Sequence, residues 1–104
     1  MSLPTRGEVW LCDLGLTAKI RPALILSVPF NDHDYALFHV VPHTTMVRDS
    51  QFEVALPLPY LKGGVFNIQG SQSVPRSWLL RHLGTLTESQ LALVGSSFRR
   101  WLQL

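Results

Sequence analysis

Residues 86–102 read LTESQLALVGSSFRRWL, the one stretch of this chain with helical periodicity, and it follows a series of short extended segments. Thr87-Glu88-Ser89-Gln90 is a capping box. In that motif the threonine side chain satisfies a free N–H of the first turn, and the glutamine reaches back to the threonine's own N–H. Leu86 and Leu91 take the N′ and N4 positions of a hydrophobic staple. Leu91, Val94, Phe98, Trp101 and Leu102 form an apolar stripe at helical spacing. Arg99 and Arg100 fall in the last turn, where cations suit the helix dipole. Gly95 lies on the same stripe at a cost of about 1 kcal/mol against alanine. Two readings of it stay open, close packing on the helix or a tolerated defect.

Upstream of the helix the segments are short and bounded by turn chemistry. Glu8–Leu14 alternates as a strand does and stops at Gly15. Pro22–Pro29 is an apolar, partly β-branched run of strand length, expected to be buried on both faces. The turn cluster Asn31-Asp32-His33-Asp34 leads to a strand at Tyr35–Val41, closed by Pro42, which cannot donate to a central ladder. Phe52–Leu56 reads as another strand. A loop with Pro57, Pro59, Gly63 and Gly64 follows, then a weaker strand across Val65–Val74. About six short strands and one helix predict a mainly β fold with a C-terminal helix, a small barrel or curled sheet capped by that helix. No crossover helices separate the strands, which argues against a parallel βαβ architecture.

The totals narrow the classes further. A chain of 104 residues fits one domain, taken as residues 1–104. With 46% hydrophobic and 15% charged residues it is no disordered segment, and so sparse a charge suggests that a partner covers part of the surface. Cys12 is the only cysteine, which excludes an internal disulfide and any Cys-x-x-Cys site. The opening MSLPTRGEVW has no apolar signal region. The apolar run near Ala23–Val28 is far shorter than the ~20 residues that span a bilayer, so the expected compartment is cytoplasmic, with no membrane partner. Charge is uneven: residues 54–104 hold five bases against one acid, a balance suited to phosphates or to an acidic protein segment.

Four histidines raise the question of a metal. His39 and His43 are four apart, about 13 Å on an extended strand, too far to share an ion. His33 stands in a turn and His82 is isolated, so no metal and no cofactor is expected. Polar residues gather instead at strand ends. Lys19 and Arg21 flank Ile20 just before the buried run, and an arginine fork there suits bidentate contact with phosphate. Pro42-His43-Thr44-Thr45 ends another apolar strand with an imidazole and two hydroxyls. On chemistry alone Arg21 equally reads as a surface arginine, and Thr44 and Thr45 as turn residues bonding their own backbone.

The order of the blocks adds to this. Arg6-Gly7-Glu8-Val9-Trp10, Asp13-Leu14-Gly15, Arg21-Pro22-Ala23-Leu24-Ile25-Leu26-Ser27, Val40-Val41-Pro42-His43-Thr44-Thr45, Phe52-Glu53-Val54 and Leu83-Gly84-Thr85-Leu86 together resemble the MazF/PemK toxins. The resemblance covers almost the whole chain. It implies an SH3-like barrel of the MazF/PemK/CcdB kind, a homodimer, and an endoribonuclease (mRNA interferase) of a type II toxin–antitoxin pair. It also implies a single-stranded RNA substrate, a cognate antitoxin, and metal-independent cleavage through a 2′,3′-cyclic phosphate. Carried over by position, Arg21 matches the catalytic arginine and Thr44 the threonine of the Pro-x-Thr-Ser block. Lys19, His43, Thr45, Gln69 and Gln72 are the residues expected to contact RNA.

Three departures stand out. The loop Leu16-Thr17-Ala18-Lys19-Ile20 is short and carries no acid. His43 replaces a position usually apolar, and a neutral imidazole there is a candidate base if it shares a face with Thr44. Gln69-Gly70-Ser71-Gln72 lacks the acid and arginine that relatives carry, which weakens the implied RNA grip. Two alternatives stay open beside ribonuclease: a gyrase poison on the same fold, and a non-catalytic SH3-like module that only binds an antitoxin.

Overall fold

Fully buried Ala23, Leu24 and Ile25 mark the centre of the fold, because only a strand covered on both faces hides three consecutive side chains. They belong to β2 (Ile20–Ile25), which pairs antiparallel with β1 (Glu8–Asp13) on one side and β3 (Leu37–Thr44) on the other. The computed structural model describes residues 3–15 and 19–104. Beyond those strands come β4 (Glu53–Val54), β5 (Val65–Asn67), β6 (Gln72–Pro75), β7 (Leu79–Thr85) and the helix α1 (Glu88–Leu102). The sheet runs β4-β5-β3-β2-β1-β7, with β6 also on β3, and every pairing is antiparallel.

Strand alternation splits the apolar residues into two cores. Val9, Leu24, Val41 and Phe66 pack with Ile68, Leu86 and Val94 on the helix side of the sheet. Cys12, Ala23, Ile25, Phe38, Val40, Val74 and Leu79 fill the concave side. The expected mainly β fold with one C-terminal helix is present, but the sheet is curled and open rather than a closed barrel. The 3-10 turn Arg76–Trp78 carries the chain from β6 to β7 without the ladder a hairpin brings. Arg76 holds that turn by donating to the Leu79 carbonyl at 2.8 Å and lying 5.1 Å over the Trp10 ring.

Several boundaries differ from the sequence reading. β3 starts at Leu37, leaving Tyr35 exposed, and it runs through Pro42 to Thr44. Pro42 does not close it, because it stands where the outer partner of β3 changes. Pairing with β6 ends at Val40↔Gln72, and pairing with β5 begins at His43↔Phe66. A missing N–H costs nothing in that gap. β2 begins at Ile20 and ends at Ile25, three residues before an exposed Val28. The segment 65–74 is two strands broken by a 3-10 turn at Ile68–Gly70. The stretch 52–56 keeps only a two-residue strand. β7 has no counterpart in the sequence reading. Two register shifts against β1 upset its alternation, which removes the period-2 signal.

The helix closes as its capping box requires. Thr87 N–H donates to Gln90 Oε1 at 2.9 Å, and Gln90 N–H donates to Thr87 Oγ1 at 3.2 Å. Leu91, Val94, Phe98 and Trp101 pack against the sheet. Leu102 does not join them and is 44% exposed, while Ser97 is buried in the inward turn. No helix among the described residues is long and apolar enough to cross a membrane.

Gly95 has nothing within 4 Å of where a Cβ would stand, so close packing does not require it. The helix carries the glycine as a defect. Gly95→Ala is therefore expected to raise stability by about 0.5–1 kcal/mol. A denaturant midpoint that does not rise would contradict the open space seen beside this position.

Candidate functional site

The register of β2 on β3 sets Ala23 opposite Pro42, and two residues further out the same register brings Arg21 opposite Thr44. These two positions share the concave face, since alternation puts them in phase with Ala23 and Ile25 and with Val40 and Pro42. Arg21 Nη1 donates to Thr44 Oγ1 at 3.2 Å. That oxygen also accepts the Met46 N–H at 3.1 Å. With both lone pairs of Thr44 engaged as acceptors, its hydroxyl proton is left to donate. The pair lines a cavity of about 470 Å³ together with Pro42, Gln69, Gly70 and Gln72. Gly70 is the close approach in that wall, because a Cβ there would stand 2.8 Å from Asn67 Nδ2 and 3.2 Å from Pro42 Cγ.

Arg48, Glu53 and Asn67 line the same cavity and were not singled out as site residues from sequence. Glu53 accepts the N–H groups of Arg48, at 3.1 Å, and of Ser50, at 2.9 Å. This carboxylate therefore anchors the loop that follows Thr44. A local signal existed in the spacing, an acid three residues after Ser50, which is the reach of a side chain to the backbone of its own turn.

His43 stands on the other face of β3. It is 6% exposed, its ring meets Phe66 edge-on at 5.1 Å, and it lines a separate cavity of about 380 Å³ with Thr45, Tyr60, Lys62 and Arg81. Arg21 lines this cavity as well as the first. So the structure brings Arg21, Thr44, Gln69 and Gln72 to one cavity and Arg21, His43 and Thr45 to another. Gly64, at φ 149°, lies flat against the end of β3. A Cβ there would collide with the Thr44 carbonyl oxygen and come within 2.9 Å of His43 Cε1. Lys19 lines neither cavity. It holds φ 60° at the mouth of the β1–β2 turn, where its N–H donates to the Gly15 carbonyl at 2.9 Å. Most of the acid-free loop noted in the sequence, residues 16–18, lies outside the described residues. Among the described residues no three His, Cys, Asp or Glu side chains converge as metal ligands would.

This geometry can be set beside known proteins. The family model of PemK-like, MazF-like toxins of type II toxin–antitoxin systems matches residues 5–102. A probable endoribonuclease MazF5 from Mycobacterium tuberculosis is 30% identical over 98 residues, covering 89% of this chain and 87% of the relative. Among solved structures, an endoribonuclease in complex with its cognate antitoxin from a mycobacterial species superposes with a TM-score of 0.82. It is 27% identical and covers 97% of this chain and 96% of that one. MazF from Deinococcus radiodurans gives 0.81 at 26% identity, over 100% of both chains.

Burial lowers the pKa of His43 and also that of His39, whose Nε2 is buried beside Phe98 with no partner among the described residues. Both rings thus stay neutral in the folded chain at pH values where the unfolded chain takes up protons. The sign follows from linkage. Stability is full above the unfolded pKa of about 6.5 and is lost as pH falls below it, until the folded rings protonate too. Melting temperatures measured between pH 7.5 and 5 are expected to fall with pH, and to fall less in a His39→Phe, His43→Phe double variant. An unchanged slope in that variant would contradict the assignment.

Proposed function

The chain belongs to the PemK-like, MazF-like toxin family of type II toxin–antitoxin systems, and from that premise we propose that it is an endoribonuclease cutting single-stranded RNA at the Arg21–Thr44 pair. The observation that carries this reading is the 3.2 Å contact between Arg21 Nη1 and Thr44 Oγ1 on the wall of an open cavity. A guanidinium is a cationic fork matched to two phosphate oxygens, and a threonine hydroxyl beside it adds a third donor. Donors fixed in advance where negative charge grows are the main source of rate in reactions of this kind.

In the proposed reaction the ribose 2′-oxygen attacks the adjacent phosphorus and the 5′-oxygen leaves. One product ends in a 2′,3′-cyclic phosphate and the other in a 5′-hydroxyl. Arg21 neutralises the phosphorane and steadies the leaving oxygen, while Thr44 donates to a phosphoryl oxygen. Gln69 and Gln72, on the same cavity, hold the strand by neutral hydrogen bonds. His43 has no part as a base, because strand alternation turns it away from Thr44. The chemistry asks for protein donors only, so cleavage is expected to be independent of metal ions.

The chain further acts, in this reading, as one domain in the cytoplasm, as a homodimer, with an antitoxin as its regulator. Support for the dimer comes from exposed apolar side chains such as Val28 and Met46, at 70% and 76% exposure, on a lightly charged surface. Support for the antitoxin comes from the excess of bases in residues 54–104, which an acidic segment would match as RNA does.

Arg21→Ala is expected to lower the cleavage rate roughly 10²–10³-fold, the scale for one transition-state donor, and Arg21→Lys to recover part of it. Thr44→Val costs less and leaves folding nearly unchanged, because the exposed Met46 N–H turns to water. Cleavage persists in excess EDTA, and a 2′-deoxy residue at the cut abolishes it. Wild-type rates in Arg21→Ala would overturn the reading. Sedimentation at micromolar concentration should give a species of twice the 11.7 kDa chain mass. A complex with a co-expressed antitoxin should lose RNA binding; a monomer, or a complex that binds RNA undiminished, would contradict these two assignments.

A further inference from the structure

Apart from Arg21, the cavity on the helix side of β2 and β3 takes no part in the cleavage step, yet it is built from the materials of a ligand site. His43 forms its floor, 6% exposed, and makes no hydrogen bond with the described residues. Tyr60 lines it too, with a hydroxyl that is buried and has no partner among the described residues. That ring can lie so deep because Gly84 has no side chain; a Cβ on Gly84 would fall inside it. Buried polar groups without partners are rare in folded chains, and one beside an imidazole that bonds to no described residue points to a partner supplied from outside. Leu61 and Leu83 give the walls an apolar surface, while Lys62 and Arg81 add two cations.

We propose that this cavity is a nucleobase subsite for the nucleotide adjoining the scissile phosphate, with His43 reading the edge of the base. The assignment rests on the cleavage reading and extends it to sequence preference. Arg21 borders both cavities, so a phosphate held at Arg21 and Thr44 lies between them, and a base next to that phosphate reaches His43. A volume of about 380 Å³ suits a flat heterocycle. A neutral imidazole offers one donor and one acceptor, the complement of a base edge. Aromatic and apolar walls accept any π-face, and cations at Lys62 and Arg81 suit the next phosphate along the strand.

The test is the base preference of cleavage in a pool of random-sequence RNA, read by sequencing the cut ends. Wild-type protein is expected to prefer one base at one position beside the cut. Leu83→Trp, which fills the cavity, and His43→Phe, which keeps the ring and removes its nitrogens, should each erase that preference and raise KM about tenfold. Lys62→Ala, at an exposed position, should weaken RNA binding equally for all sequences and lower its salt dependence by about one phosphate contact. Should Leu83→Trp fail to fold, the other two variants decide. A preference unchanged in His43→Phe, RNA binding and salt dependence unchanged in Lys62→Ala, or no preference at all in the wild type, overturns the subsite and leaves the cleavage reading intact. If Leu83→Trp instead weakens the antitoxin complex and keeps the base preference, the cavity takes a protein side chain and the assignment is wrong. A wild-type protein that cuts no RNA overturns the cleavage reading, and the subsite with it.

Discussion

The antiparallel register of β2 on β3 is the constraint from which the rest of the molecule follows. Ala23↔Pro42, Leu24↔Val41 and Ile25↔Val40 are buried pairs in the middle of the sheet. A slip of one residue would turn Leu24 and Val41 out of the helix-side core and drive Ala23, Ile25 and Val40 out of the concave one. Six core side chains therefore hold the register, and the same register carries Arg21 to Thr44 across 23 residues of sequence. The site is precise because it extends a ladder that packing has already fixed.

Alternation then divides the polar residues as it divides the core. Arg21, Pro42 and Thr44 leave the sheet on the concave side, while Pro22, His43 and Thr45 leave it on the helix side. Only a side chain as long as arginine, standing at the strand end, borders both cavities. Glycines maintain the arrangement at close approaches, Gly70 in the wall of the first cavity and two more beyond it. Gly64 lets the 57–64 loop lie on the end of β3, and Gly84 lets Tyr60 lie on β7. A side chain at Gly64 would push directly on the backbone of Thr44.

What the sequence made legible were the features whose signals are local. The capping box from Thr87 to Gln90 and the stripe through Leu91, Val94, Phe98 and Trp101 identify the helix without any tertiary information. The unbroken apolar run of β2 likewise marks a central strand, and the turn residues separate the segments correctly in outline. Features set by distant partners stayed hidden. β7 was missed because its bulges against β1 destroy alternation. Pro42 reads as a strand end from propensity, and only the change of partner from β6 to β5 shows why the strand continues. In the site, Arg21 and Thr44 were visible as strand-end residues within blocks of family order. Arg48 and Asn67 enter through segments that fold back on the cavity, a route that no spacing records, while the Ser50-to-Glu53 spacing marks only a local turn. The question whether His43 shares a face with Thr44 needed only the parity of β3, once the strand was known to run through both.

If Arg21 and Thr44 form one cleavage unit, their contributions must be coupled. The most direct measurement is a double-mutant cycle on the cleavage rate, using Arg21→Ala, Thr44→Val and the two together, with single-turnover kinetics on one RNA. Groups that act as a unit lose most of their effect with the first deletion. The account predicts that the double variant is about as slow as Arg21→Ala alone. Losses that multiply, as they do for independent sites, would contradict it.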